Sequence, residues 1–292
     1  IFLWGAIRRK SAPRYGEVAA EKTEVEPEGK QKEQAKKEYM LILTAFRHLV
    51  NSLENSTEAW QAMEEIITLR TASLYSRILE GLKIDFDTAL GLLRNHNDFT
   101  TLQEKEQRDI LVAAIENLVD FAAAEQYAMM NDTRETAGDA DSEDYEKICE
   151  KYNLTYAETE NEQALYAAGI AGWWINQSSD ALITYMTQGD ERVRESHQAL
   201  EGLTFPKNVF PSSLIPPIDW RCRCYLDSNG DYVQASIETD HIREVNPVFS
   251  ESLAKKGRIF SESHTYFTSA FRENRKIQTI IQKLKNKLLC KR

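Results

Sequence analysis

The apolar positions of the first half of the chain recur three or four residues apart, which is the spacing of amphipathic helices. One such run covers residues 39–53, and a second covers residues 60–78. Asn55 and Glu58 lie between them at the separation of a capping box, in which a short polar side chain starts a helix and an acidic residue three positions later supports it. We therefore predict two helices with a break near Asn55.

Two further helix starts follow in the same half. Asp85 or Asp87 is predicted to begin a short helix, and Thr100 with Gln103 is predicted to cap a longer helix that carries apolar residues as far as position 121. A series of amphipathic helices buries its apolar faces by packing them together. The first half is therefore predicted to be a helical bundle.

The second half has a different pattern of apolar, glycine and proline residues. Residues 155–176 are predicted to be helical with small residues on one face, and residues 181–186 form a short apolar run typical of a strand. Glycine and proline then punctuate the chain up to a second predicted strand at residues 220–226. The pattern favours an α+β fold class: a helical N-terminal unit, a small mixed α+β domain and a basic C-terminal helix.

Charge and composition suggest where these units divide. Residues 135–162 hold ten acidic residues and two lysines, which is typical of a solvated boundary segment. The chain begins without methionine, so we treat its start as fragmentary, and the apolar run before Arg8 is shorter than the roughly 20 residues of a membrane span. The predicted units are a linker or fragmentary N-terminus at 1–37, a helical domain at 38–135, an acidic linker at 136–150, an α+β domain at 151–250 and a basic tail with a helix at 251–292.

The overall composition excludes several classes of protein. With 42% hydrophobic and 28% charged residues the 292-residue chain resembles ordinary globular proteins, so wholesale disorder and a membrane-embedded fold are not expected. Four cysteines are too few for a disulfide scaffold in a chain of this length, which favours a reducing compartment.

The C-terminal segment differs from the rest in charge. The chain has a net charge of −10, yet residues 251–292 hold 11 basic and 3 acidic residues. A predicted helix from Ser269 to Arg292 has one apolar stripe, and its basic face is a candidate contact for nucleic acid or a partner protein. Packing of this helix on the protein's own acidic surface is an equal alternative. The candidate contact residues are Lys276, Lys283, Lys285 and Lys287.

Two sequence blocks carry the most specific signal. The first motif block, GDERVRESHQALEG at residues 189–202, supplies Asp190, Arg192, Arg194, His197, Leu200 and Gly202. The second motif block, PPIDWRCRC at residues 216–224, supplies Pro216, Pro217, Trp220, Cys222, Arg223 and Cys224. In this order and at this separation, the blocks resemble those of the Mu F-like family of minor head proteins, the head-morphogenesis proteins of tailed bacteriophages. The sequence departs from the family pattern between the blocks, at KNVFPSSL, and at Asp219, where a glycine is common.

The resemblance implies a function that composition and spacing alone do not show. It implies a structural, non-enzymatic protein of the virion that acts in head morphogenesis near the portal and is made in the cytoplasm of a bacterial host. Its expected partners are portal and capsid proteins, with contact to packaged DNA left open and no membrane partner. Two alternatives stay open: a toxin-like nuclease or RNase attached to a Mu F-like domain, and a non-catalytic protein-interaction module.

The charged residues of the first motif block also have a direct physical interpretation. Asp190 precedes a predicted helical segment, where a short carboxylate caps free backbone N–H groups. Arg192 and Arg194 are two positions apart and diverge on a helix, so one is expected to pair with Asp190 while the other faces solvent or a partner. A salt-bridged turn is favoured over phosphate binding, and no catalytic residue is assigned.

His197, Cys222 and Cys224 form the one combination with metal-ligand chemistry. On a strand, side chains two positions apart share a face, so both thiols are predicted to point inward and are too far apart for a disulfide. Buried reduced cysteines are favoured, and no cofactor is assigned. Zinc is the alternative, with Asp190 or His264 as a further ligand.

Overall fold

Helices make up most of the computed structural model, which describes residues 28–95, 101–136, 141–228 and 245–290. The helices are α1 Glu28–Asn51, α2 Ser56–Leu82, α3 Phe86–Arg94, α4 Leu102–Thr136, α5 Ser142–Glu150, α6 Ala157–Ile175, α7 Glu195–Gln198, α8 Ser269–Glu273 and α9 Arg275–Leu288. A π-helical segment, Lys151–Tyr156, joins α5 to α6. The strands are β1 Leu182–Met186, β2 Thr204–Pro206 and β3 Tyr225–Asp227.

Side-chain caps set the starts of the first-half helices. The Asn55 side chain accepts hydrogen bonds from the backbone N–H groups of Thr57 and Glu58, as the capping pattern predicts. Asp85 caps α3 in the same way. The start of α4 differs from the prediction by one residue, because Thr101 and Glu104, rather than Thr100 and Gln103, exchange backbone-to-side-chain hydrogen bonds of 3.1 and 3.2 Å. Thr100 lies outside the described residues.

The centre of the fold is the long helix α2, which packs against α1, α4 and α6. Its contact with α6 is close because small residues line the interface. A Cβ atom added to Gly81 would lie 2.5 Å from the Leu165 carbonyl oxygen and 2.6 Å from the Ala168 Cβ, so only glycine fits at this position. The small-residue face predicted on α6 thus faces the first-half helices.

The three strands form one small antiparallel sheet in the order β2-β1-β3. Ile183 of β1 pairs with Phe205 of β2, and Tyr185 of β1 pairs with Leu226 of β3. A mostly helical α+β fold is therefore confirmed. The second predicted strand is wrong over most of its length, because residues 220–224 form a turn and an irregular segment before β3.

Two segments predicted as linkers are structured where they are described. Residues 28–37 belong to α1, and residues 142–150 form α5, whose Cys149 is fully buried. An acidic composition did not exclude a helix here, because Asp141 caps α5 and the acidic side chains lie on its exposed face. The predicted division into two units stays a prediction, and α2 contacts α6 across it.

The basic C-terminal segment forms two helices rather than one. Asn274 ends α8 and its side chain caps α9. The predicted apolar stripe of α9 is buried against α4 and α2 through Ile277, Ile280, Ile281 and Leu284. Within the described residues, no helix combines the length and the apolar character needed to cross a bilayer.

Candidate functional site

The two motif blocks face each other beside the small sheet, and a bidentate ion pair joins them. Arg223 donates to both carboxylate oxygens of Asp190 at 2.8 and 2.6 Å. These hydrogen bonds hold the pKa of Asp190 below its ordinary value. The predicted pairing of Asp190 with Arg192 or Arg194 is therefore wrong. The predicted helix cap is also wrong, since Asp190 lies in a turn and accepts a hydrogen bond only from the Arg192 backbone N–H within it.

Arg194 makes a second connection between the blocks. Its guanidinium donates to the Trp220 carbonyl oxygen at 2.8 Å and lies 3.5 Å from a carboxylate oxygen of Asp219. Arg192, by contrast, has an exposed side chain. Arg192 therefore faces solvent, as predicted for one of the two arginines. Arg194 contacts the second motif block rather than Asp190 of the first.

The third connection is a thiol–imidazole cluster of His197, Cys222 and Cys224. The His197 Nδ1 atom lies 3.8 Å from the Cys222 Sγ and 3.4 Å from the Cys224 Sγ, and all three ligand atoms lie within 4.8 Å of one another. The three residues are 5%, 4% and 3% exposed, and both cysteines are free thiols. The prediction of two inward-facing thiols is thus confirmed although the segment is not a strand.

The two thiols of the cluster are electrostatically different. A hydrogen bond from Cys224, followed by one from His197, holds the pKa of Cys222 well below its ordinary value despite burial. The pKa of Cys224 is raised, because the adjacent Cys222 sulfur and burial both disfavour a second thiolate.

Neighbouring tyrosines line the cluster. The Tyr166 hydroxyl donates to the Cys224 carbonyl oxygen. The Tyr185 hydroxyl, on β1, lies next to both thiols, is fully buried and makes no well-aligned hydrogen bond to a described residue. Burial is the main cause of its raised pKa. The two further ligands considered from sequence are elsewhere, since Asp190 pairs with Arg223 and His264 packs among aromatic rings.

The remaining motif residues shape the polypeptide around these contacts. Gly202 has a φ of 86°, a conformation that favours glycine, and its N–H donates to the Tyr185 carbonyl oxygen. Pro216 and Pro217 are buried. The Trp220 ring packs on Phe249 and Phe260 with centroid distances of 5.0 and 5.7 Å. The motif therefore anchors the segment that follows residue 245.

The basic face predicted on α9 is largely engaged by this chain. Lys276 donates to the Ser56 hydroxyl and lies over the Trp60 ring. Two more of the predicted contact lysines form ion pairs with acidic residues of the helical half, and Lys287 is exposed. The ion pairs are Lys283 with Glu64 and Lys285 with Asp120.

A buried ionic network in the helical half was not found from the sequence. Arg70 of α2 is 1% exposed, and its guanidinium donates to Glu125 of α4 at 2.7 Å and to Glu160 and Asn161 of α6 at 2.5 and 2.7 Å. Burial opposes the charge of Arg70, but the two carboxylates outweigh it and raise its pKa. Burial, then the charge of Glu125, raises the pKa of Glu160 well above 4.5. The one feature of the sequence that could have indicated this network is the presence of polar residues on otherwise apolar helix faces.

Comparison with known proteins identifies the class to which this arrangement belongs. Residues 120–227 match the model of a family described as Phage Mu protein F like protein. The match contains both motif blocks and all their mutual contacts, and it begins within α4, before the predicted domain start at residue 151. No curated protein and no solved structure matches the chain at a significant level.

Residues 120–227 are therefore similar to phage Mu F-like proteins, and the resemblance drawn from the two blocks is confirmed over that region. The family points to phage head morphogenesis and to interaction with other head proteins. Proteins of this family are generally structural. Residues 1–119, which include the helical first half up to the middle of α4, lie outside the match.

Proposed function

We propose that this protein is a non-catalytic minor component of the phage head that acts during assembly near the portal, where it binds portal and capsid proteins. The observation that carries the proposal is the pairwise engagement of the two motif blocks. Asp190 pairs with Arg223, Arg194 reaches Trp220, and His197 faces the two cysteines. The charged, imidazole and thiol side chains of the two blocks thus bind one another and fix the conformation of the motif region. This use supports a structural role for the matched region.

The competing nuclease function has less support from this geometry. A general base must lie within hydrogen-bond reach of the proton that it removes from a bound substrate. His197 is buried between two thiols, and His264 is packed among the rings of Phe121, Trp220 and Tyr266, where burial lowers its pKa to about 4. The His197 imidazole is thus enclosed, and the His264 imidazole is only partly exposed and packed against aromatic rings.

Contact with packaged DNA through α9 is also weakly supported. Phosphate binding needs cations that are not already neutralised. Two of the four candidate lysines form ion pairs with Glu64 and Asp120, and a third is held by Ser56 and Trp60. The arrangement favours protein partners over DNA for this helix, and it supports the alternative in which the helix packs on its own chain.

The test of the head assignment uses the phage or prophage that encodes this chain. Heads and proheads are purified from induced cells, and the protein is quantified by mass spectrometry relative to the major capsid protein. We expect it in both particles at far fewer copies than the capsid protein, with a lower yield of filled heads when its gene is deleted. Absence from both particles together with unchanged head yield would overturn the proposal.

The enzymatic alternative is tested separately with the purified full chain. Single- and double-stranded DNA and RNA are incubated with it in the presence of Mg²⁺ or Zn²⁺, alongside a His197→Ala and a His264→Ala variant. We expect no cleavage above the buffer control. Cleavage that either substitution removes would favour the nuclease function.

A further inference from the structure

We propose that His197, Cys222 and Cys224 bind one zinc ion that joins the two motif blocks. The inference rests on the arrangement of these side chains and does not depend on the role of the protein in the phage head. Imidazole nitrogen and thiolate sulfur are the ligands that structural zinc sites use. In this chain they come from α7 and from the irregular segment before β3.

The distances between the ligand atoms agree with tetrahedral zinc. Zinc–sulfur and zinc–nitrogen bonds of about 2.3 and 2.0–2.1 Å at a tetrahedral angle place a nitrogen and a sulfur ligand about 3.6 Å apart. The two nitrogen–sulfur distances in the cluster are 3.4 and 3.8 Å. The histidine nitrogen thus already lies at a zinc-ligand separation from each sulfur, and all three donor atoms lie within 4.8 Å of one another.

The surroundings hold these donors in place. Arg223, which separates the two cysteines, is fixed from outside by its bidentate pair with Asp190. Arg221, one residue before Cys222, has a φ of 54°, so the backbone turns immediately before the two cysteines. The one-residue separation of the cysteines is shorter than the usual two to four, but both thiols still face His197.

A second observation points to a ligand at the same place. The fully buried Tyr185 hydroxyl adjoins both thiols, and its contact with Cys224 falls short of a well-aligned hydrogen bond. Buried polar groups of this kind cost free energy unless they are satisfied. We assign the fourth position of the zinc to one water molecule that this hydroxyl would hold.

Metal analysis of the full chain, purified without a histidine tag or chelator, tests the proposal. We expect about one zinc per chain in the wild-type protein and in a Cys149→Ser variant, which removes a buried thiol away from the cluster. We expect zinc to be lost in the Cys222→Ser/Cys224→Ser double variant and in His197→Ala. His197→Cys restores a zinc ligand and is expected to retain the metal.

Cobalt substitution supplies a second measurement on the wild-type protein. Replacing zinc with Co²⁺ is expected to give the thiolate-to-cobalt absorption and the intense visible bands of a tetrahedral site, and removal of the metal by a strong chelator should lower the melting temperature. If the substituted variants fail to fold, the wild-type measurements decide alone. Folded wild-type protein that lacks zinc, takes up no Co²⁺ and melts unchanged with chelator would overturn the proposal.

Discussion

The helical half and the motif region use polar groups in opposite ways. One charged network, which joins Arg70 and Glu125 of the helical half to Glu160 of α6, is sealed inside a large apolar core. In the motif region, charged pairs such as Asp190 with Arg223 lie near the surface and connect turns that have few regular hydrogen bonds of their own. Long helices satisfy their own backbones and need only packing, whereas irregular segments need side chains to hold them.

This difference predicts where substitutions are most damaging. A buried charge that loses its partner cannot be solvated by water, while an exposed one can. The contrast between the regions is therefore expected to appear as a gradient of stability effects, from the Arg70 network to the Asp190 pair.

The largest effect is expected for Arg70→Met. Removal of the guanidinium leaves Glu125 and Glu160 buried without their cation, and breaking a buried pair in this way costs about 3–5 kcal/mol. Chemical denaturation measures the free energy of unfolding. The matched control is Arg77→Met on the same helix, whose pair with Glu38 is partly exposed and should matter less. An equal loss of unfolding free energy in Arg70→Met and Arg77→Met would contradict the expectation that buried ion pairs matter more than exposed ones.

The next effect concerns which region α9 belongs to. Ile277 is fully buried where α9 packs on the helical half, so Ile277→Ala is expected to reduce the free energy of unfolding by about 2–5 kcal/mol. Leu288→Ala, at a partly buried position on the same helix, is the control with a smaller expected loss. Deletion of α9 would likewise uncover core residues and is expected to destabilise the fold. A fully stable Ile277→Ala variant would show that α9 contributes little to the core.

The pH dependence of stability tests the buried carboxylates. Because the pKa of Glu160 is raised, the folded protein keeps a proton that the unfolded chain releases near pH 4.5. The free energy of unfolding should therefore fall as pH rises from that value through the higher pKa of the folded state, by at most about 1.4 kcal/mol per pH unit. Glu160→Gln mimics the protonated form and should flatten this slope. An identical slope in the variant would show that another group is responsible.

The smallest effect is expected for Asp190→Asn. Arg223 lowers the pKa of Asp190, so the stabilisation from this exposed pair is present above the ordinary pKa of 3.8 and is lost as pH falls below it. Wild type and variant should differ slightly at neutral pH and converge in acid or in high salt. A loss as large as that of Arg70→Met would mean that the motif region depends on its ion pairs as strongly as the core does.

The amino-acid sequence by itself determined the local features of this protein. Helix starts at Asn55 and Asp85 and the apolar stripe of α9 follow from residues a few positions apart, whose geometry is set by the helix. Both thiols are buried as predicted, although the strand from which that was predicted is absent at residues 220–224. The order and spacing of the two motif blocks likewise pointed to the phage Mu F-like family, whose model matches residues 120–227.

Only the tertiary structure decided which distant groups meet. Asp190 pairs with a residue 33 positions away, and Arg70 contacts partners 55 and 90 positions away. A charged residue can pair with any opposite charge that the fold brings near it, so the sequence alone does not specify the partner. For Asp190 it favoured the nearby Arg192 and Arg194, whereas the structure pairs Asp190 with Arg223. The path of the backbone, fixed by the packing of the apolar core, selects one partner for each charge, and around Arg70 it also excludes water from the contact.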